Sequence, residues 1–263
     1  MLINFELLPI AKVQPWGQPG DLSLHWFGLT DGHYWIEMGE NTLFEYSGAA
    51  QAAGAGRYCE YHVARLHEDL LEMLPHVLEP VPGALGRYLS GEGQAEWAAA
   101  FGSWCDRNSD VLDTNLCYQV VDAATTWSGA RRLDSAYLSP SANIVIWSDI
   151  EHVVIEWDNR SRLFQGEPAW TAVRGRHKMA RAEFISQVQS FDRRFIEQMS
   201  ERIREVQAGV LSSTISIDIP GLIREHEQRS HALRDALGRQ PQTDWQCVEA
   251  AIAEVLREWP RNF

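Results

Sequence analysis

Apolar and polar positions alternate with a period of two in the first part of the chain, then repeat at helical spacing, then do both again. Residues 5–10 read as an edge strand, where Pro9 is tolerated because its missing N–H is not needed for pairing. Residues 22–29 read as a second strand. Thr30-Asp31-Gly32 reads as a hairpin turn, since glycine accepts positive φ without a steric penalty, with residues 33–38 as the return strand. Gly39-Glu40-Asn41 turns the chain again into residues 42–46, completing a three-stranded meander. Leu66, Leu70, Leu74, Val77 and Leu78 then form one helical stripe within residues 58–79. After a Pro/Gly-rich connection over 80–93, helices are predicted at 94–105 and 111–127.

The pattern returns to strands at 133–138, 143–147, 152–157 and 169–174. Val153, Ile155 and Trp157 share one face, while Glu156 and Asp158 point the other way. Phe184, Val188, Phe191, Phe195, Met199, Ile203 and Val206 step by threes and fours, which predicts a long amphipathic helix. Asp218 and Pro220 open a further helix that ends near Gly238. Thr243 with Gln246 makes a capping-box pattern for a last helix, stopped by Pro260. Strands then helices, twice over, indicate an α+β fold: two antiparallel β-meanders, each followed by helices, and not a doubly wound sheet. The 263 residues fit one domain, with 1–130 and 131–263 as its natural subdivision. The pattern leaves strand order and oligomeric state open.

Charge changes this picture. The composition is globular, 45% apolar and 22% charged, but the net charge is -13 and unevenly placed. Residues 1–130 hold 17 acids against 5 bases, whereas 131–263 hold 19 against 18. A concentrated negative field favours a basic protein partner and disfavours nucleic acid. No apolar run approaches the ~20 residues of a membrane helix. Residues 1–6 lack the basic and apolar regions of a secretion signal. Cys59, Cys105, Cys117 and Cys247 are scattered without a CxxC pair, and are expected as small buried thiols in a reducing cytoplasm.

Candidate chemistry is sparse. His226-Glu227-Gln228-Arg229-Ser230-His231 resembles a zinc-binding HExxH, but its histidines are five apart, so the rings point about 140° away from each other on a helix. His62 and His67 fail for the same reason, and no metal is expected. There is no GxSxG, no P-loop and no GxGxxG after a strand, so neither a cofactor nor a catalytic residue is assigned. The Gly-rich residues 48–56 lack the Lys-Ser/Thr of a phosphate cradle. A rival reading places an acid/base hydrolase site between the meanders, using Asp31 or Glu156 with His25 or His33. A third has the C-terminal helices self-associate as a scaffold.

The acids of the first half carry the leading expectation. Glu68 and Glu72 share the outward face of the 58–79 helix as like charges one turn apart, partly offset by Arg65. Asp69 stands beside them and Glu79 farther along. Glu37, Glu40, Glu45 and Glu60 extend the negative patch. Eleven tryptophans are a surplus, and Trp26 and Trp35, expected in strands beside these acids, are anchor candidates. Together they predict a cytoplasmic protein-binding module of the immunity or antitoxin kind, occluding a basic toxin or nuclease.

The stretch Leu24-His25-Trp26-Phe27-Gly28-Leu29-Thr30-Asp31-Gly32-His33-Tyr34-Trp35-Ile36 resembles the opening of an uncharacterised bacterial domain-of-unknown-function family. Ile146-Trp147, Glu156-Trp157 and Pro168-Ala169-Trp170 before a long helix are similar to its later parts. The resemblance covers most of the chain and implies a soluble bacterial protein, with no activity to transfer.

Overall fold

In a computed structural model that describes residues 1–111 and 115–257, the chain begins with β1 (Leu2–Leu7), which ends before Pro9. A small hairpin follows, β2 (Trp16–Gln18) and β3 (Asp21–Ser23). β4 (Asp31–Met38) is the centre of the first sheet. It pairs antiparallel with β1 along one edge, and β5 (Asn41–Leu43) and β6 (Cys59–His62) share the other.

Two sequence expectations change here. The strand predicted over 22–29 stops at Ser23, and the chain then coils through Leu29 N–H bonded to the His25 carbonyl and Thr30 N–H bonded to the Phe27 carbonyl. Trp26 therefore lies in no strand. Asp31-Gly32 is not a turn either, because both residues belong to β4. Gly32 faces Leu7, and a Cβ there would collide with the Glu6 carbonyl oxygen. The glycine serves close approach of two strands, not positive φ.

Between β5 and β6 runs the short α1 (Gly48–Ala52), and β6 leads directly into α2 (Val63–Leu78). The helix predicted from residue 58 starts at 63, because pairing with β4 holds Cys59–His62 extended. α3 (Gly91–Arg107) and α4 (Asn115–Gly129) come next. Of the helix predicted over 111–127, residues 112–114 lie outside the described residues, as does Pro260.

Residues 133–138 make no strand. Leu133 N–H bonds the Ile144 carbonyl, after which the segment turns and Ser135 Oγ closes a loop on both the N–H and C=O of Ala142. β7 (Ile144–Ser148), β8 (His152–Asp158) and β11 (Arg174–Ala180) form the second antiparallel sheet in the order β11-β8-β7. A two-rung hairpin, β9 (Leu163–Phe164) and β10 (Glu167–Pro168), sits in the connection. The last strand falls at 174–180, not 169–174. Residues 169–171 instead bond the first half, with Thr171 N–H to the Glu45 carbonyl and Ser47 N–H to the Ala169 carbonyl.

The long helix is α5 (Arg181–Gln207), with the predicted apolar stripe buried. β12 (Ile215–Ser216) then pairs parallel to β3. The helix predicted over 218–238 is two, α6 (Ile219–Ser230) and α7 (Ala232–Gly238), with Asp218 capping the first through Gly221 N–H at 3.0 Å. α8 (Trp245–Leu256) is capped by Asp244 on Cys247 N–H at 3.0 Å, and Thr243 is engaged elsewhere.

Buried side chains form two apolar clusters. The larger joins the inner faces of both sheets to α2, α5, α6 and α7, with Phe5 meeting Phe191 and Phe195 edge-on at 5.6 and 5.7 Å. The smaller is built by α3, α4 and α8 around Trp97, Trp104 and Trp127, resting on Val145 of β7. Among the described residues no helix is long and apolar enough to cross a membrane.

Candidate functional site

The alternation in β4 decides what each of its side chains can do. Tyr34, Ile36 and Met38 are buried, while His33, Trp35 and Glu37 point outward. Register extends this outer face into three rows. Leu2, Glu37 and Thr42 form one, Asn4 and Trp35 the second, which Tyr58 joins from just before β6, and Glu6, His33 and Glu60 the third. Trp35 and Tyr58 stack with ring centroids 4.0 Å apart and planes 8° from parallel. The Trp35 indole N–H donates to Glu37 Oε1 at 3.1 Å, which holds the ring in one orientation. Arg57 lies over the Tyr58 ring and donates to Glu45 at 3.0 Å. Glu6, Glu37 and Glu60 are exposed and have no cationic partner among the described residues.

The predicted acidic patch thus divides. Glu37 and Glu60 remain on the open sheet face, joined by Glu6, with Glu40 exposed in the adjoining turn. Glu45 is half-buried at the rim, paired with Arg57. The α2 acids go elsewhere. Glu68 is bound by Arg229 at 2.6 Å, a base from the other half of the chain. Asp69 is buried against Arg65 at 3.1 Å, and its other oxygen has no partner. Burial pushes its carboxyl up to about 7, against the opposing pull of Arg65. Glu72 is exposed and has no cationic partner among the described residues. Glu79 receives Arg131 Nη2 at 2.9 Å and both the N–H and hydroxyl of Thr243. An outward α2 face fails as a binding surface because three of its four acids are consumed inside the molecule. Trp26 fails as an anchor: it is fully buried, under the Arg229 guanidinium at 4.3 Å and edge-on to Phe195.

The rival acid/base groups divide. Asp31 pairs with His62 at 3.0 Å, His25 packs on Trp16 near enough to act on His62, and His33 stands two residues from Asp31 on the same strand face. Glu156 lies in a separate cavity of about 440 Å³ between the start of α3 and the second sheet, where it accepts from Ser90 Oγ and faces Arg176 at 3.5 Å. No histidine lines that cavity among the described residues. His226 Nδ1 accepts the Trp26 indole N–H at 3.4 Å, so its Nε2 carries the proton and donates to Ser200 Oγ at 2.7 Å. Ser200 in turn donates to the Ile196 carbonyl, so this Ser–His pair is a structural tie between α6 and α5, not a base activating a hydroxyl. Among the described residues no group of His, Cys, Asp or Glu is placed to hold a metal. Of the cysteines only Cys59 is buried; its S–H donates to the Tyr34 carbonyl and burial pushes it up to about 12. Cys247 is exposed, against the expectation of four buried thiols. The apolar side of α8, which a scaffold role would need, is buried in the smaller cluster.

A family model described as a family of unknown function, DUF5984, matches residues 2–251. The chain belongs to that family. No curated protein and no solved structure matches it. Membership spans both sheets and almost all helices, so the open face and the cavity both lie within the matched region.

Sequence reasoning missed Glu6 and Tyr58 on the sheet face and the arginines of the cavity. Tyr58 is readable from alternation in Tyr58-Cys59-Glu60-Tyr61-His62, a signal masked by the leucine stripe that follows at once at helical spacing. The arginines were hidden by counting the second half as neutral: Arg174-Gly175-Arg176 is balanced in sum but not in place.

Proposed function

We propose that the protein is a protein-binding module that receives a cationic partner on the outer face of its first sheet. The observation that supports this reading is the Trp35–Tyr58 stack flanked by exposed Glu6, Glu37 and Glu60, which have no cationic partner among the described residues. Tryptophan is the side chain that best attracts a lysine or arginine over its ring. Here the ring is already fixed by Tyr58 and Glu37, so little side-chain freedom is lost on binding. The carboxylates steer a basic surface toward it and speed association. An immunity or antitoxin role in the bacterial cytoplasm, with a basic toxin or nuclease as the occupant, is the specific form of this reading.

The test is affinity capture from the native host with wild type, Trp35→Ala, a Glu37→Lys/Glu60→Lys double variant, and Glu72→Lys as an off-face control. A basic protein should be retained by wild type and Glu72→Lys and released by raising the salt. Loss of Trp35 should weaken binding by about thirtyfold, the scale of one interface hot spot. Equal retention by all four proteins, or an acidic partner, would overturn the reading.

A further inference from the structure

We propose that the cavity between α3 and the second sheet binds a phosphomonoester-bearing small molecule. The strands build it in two rows on one face: Val145, Glu156 and Arg176 in one, Asn143, Asp158 and Arg174 in the other. Arg132 reaches the same space from the segment after α4, donating to Asn143 Oδ1 at 2.9 Å.

The charges there do not cancel. Asp158 is matched by Arg160, which grips it through two nitrogens at 2.9 and 2.6 Å. Glu156 is shared between Ser90 and Arg176. Arg132 has no carboxylate partner among the described residues and is half-buried, and Arg174 stands across from Asp158, whose carboxylate Arg160 already grips. Burial alone acts on the Arg132 guanidinium, pulling it below its ordinary range with no acid to counter it. Four guanidiniums, of Arg132, Arg160, Arg174 and Arg176, line the cavity against the two carboxylates of Glu156 and Asp158, and that excess of two positive charges calls for a dianion. Their planar forked donors suit phosphate oxygens. The positive end of the 17-residue α3 adds to the field, because Ser90 gives its hydroxyl to Glu156 and does not cap the helix. The volume of about 440 Å³ exceeds a lone phosphate and falls in the range of small-molecule sites, and the walls are polar and apolar in near-equal measure, which fits a phosphorylated compound with both hydroxyl and carbon surface.

This inference is independent of the partner-binding reading, lies on the other sheet, and needs no partner for its test. Titration calorimetry at low salt would use glycerol 3-phosphate and ribose 5-phosphate as probes, with malonate as a dianion lacking phosphorus. One-to-one binding of both phosphates, weakened by salt and absent for malonate, is expected. Arg132→Gln should lower affinity by about tenfold or more. Arg174→Gln, an exposed residue whose change disturbs no packing, should do the same, while Arg234→Gln on α7 should match wild type. No heat from either phosphate, equal binding of malonate, or unchanged affinity in Arg174→Gln would overturn it.

Discussion

Asp69 is buried and His226 half-buried, and protonation of the two pulls stability in opposite directions. Asp69 holds its proton to about 7 when folded, whereas an unfolded aspartate releases it near 4. Between those values the native state binds the extra proton, so this group's contribution falls as pH rises and is lost above about 7. Asp69→Asn is therefore expected to match wild type near pH 4 and to be more stable at pH 8, by at most about 4 kcal/mol. Thermal melts at the two pH values check this, and an equal Tm at pH 8 would refute it. His226 is held below its ordinary range by burial, and it can accept from Trp26 only while neutral. Its sign is reversed: stability is full above about 6.5 and drops as acid protonates the unfolded chain first. Replacing it by glutamine should make the fall of Tm below pH 6.5 shallower, and an unchanged slope would show that the folded ring accepts the proton. His62, His76 and His177 are also lowered by burial, so acid sensitivity is reduced but not abolished.

At the scale of elements, Gly32 makes the firmest prediction. Gly32→Ala places a methyl against backbone in the β1–β4 ladder, where no side chain can move aside, and should cost at least about 1–3 kcal/mol in urea unfolding. A variant as stable as wild type would mean that the two strands separate freely. The same glycine shows which elements were legible in the sequence. α5 was, because seven apolar residues at helical spacing have one packing solution. β7 and β8 were, because runs of β-branched residues flank a polar turn. Asp31-Gly32 was misread because an Asp-Gly pair carries the same local signal in a tight turn as in a close strand crossing, and only the partner strand distinguishes them. The open sheet face was half legible: Glu37 and Trp35 follow from alternation in residues 33–38, whereas Glu60 and Tyr58 were masked by the helical stripe that follows them. The internal use of Glu68 and Glu79 depends on Arg229 and Arg131, whose approach across long sequence separations leaves no local mark.

For the whole molecule, Glu79 is the point where distant parts meet. It ends α2, neutralises the fully buried Arg131 beyond α4, and anchors Thr243 at the entry to α8. Glu79→Ala leaves a buried guanidinium uncompensated and should cost about 3–5 kcal/mol, read from denaturant unfolding. A loss under about 1 kcal/mol would mean that Arg131 finds water. The smaller cluster has a further consequence. α8 completes it against α3 and α4, yet follows α4 by more than a hundred residues. On a ribosome adding roughly 5–20 residues per second, Trp104 and Trp127 stay bare for on the order of ten seconds after emerging. Nascent chains halted before Trp245 should therefore be held by chaperones and cut readily by protease within 91–129, and those released with α8 in place should not.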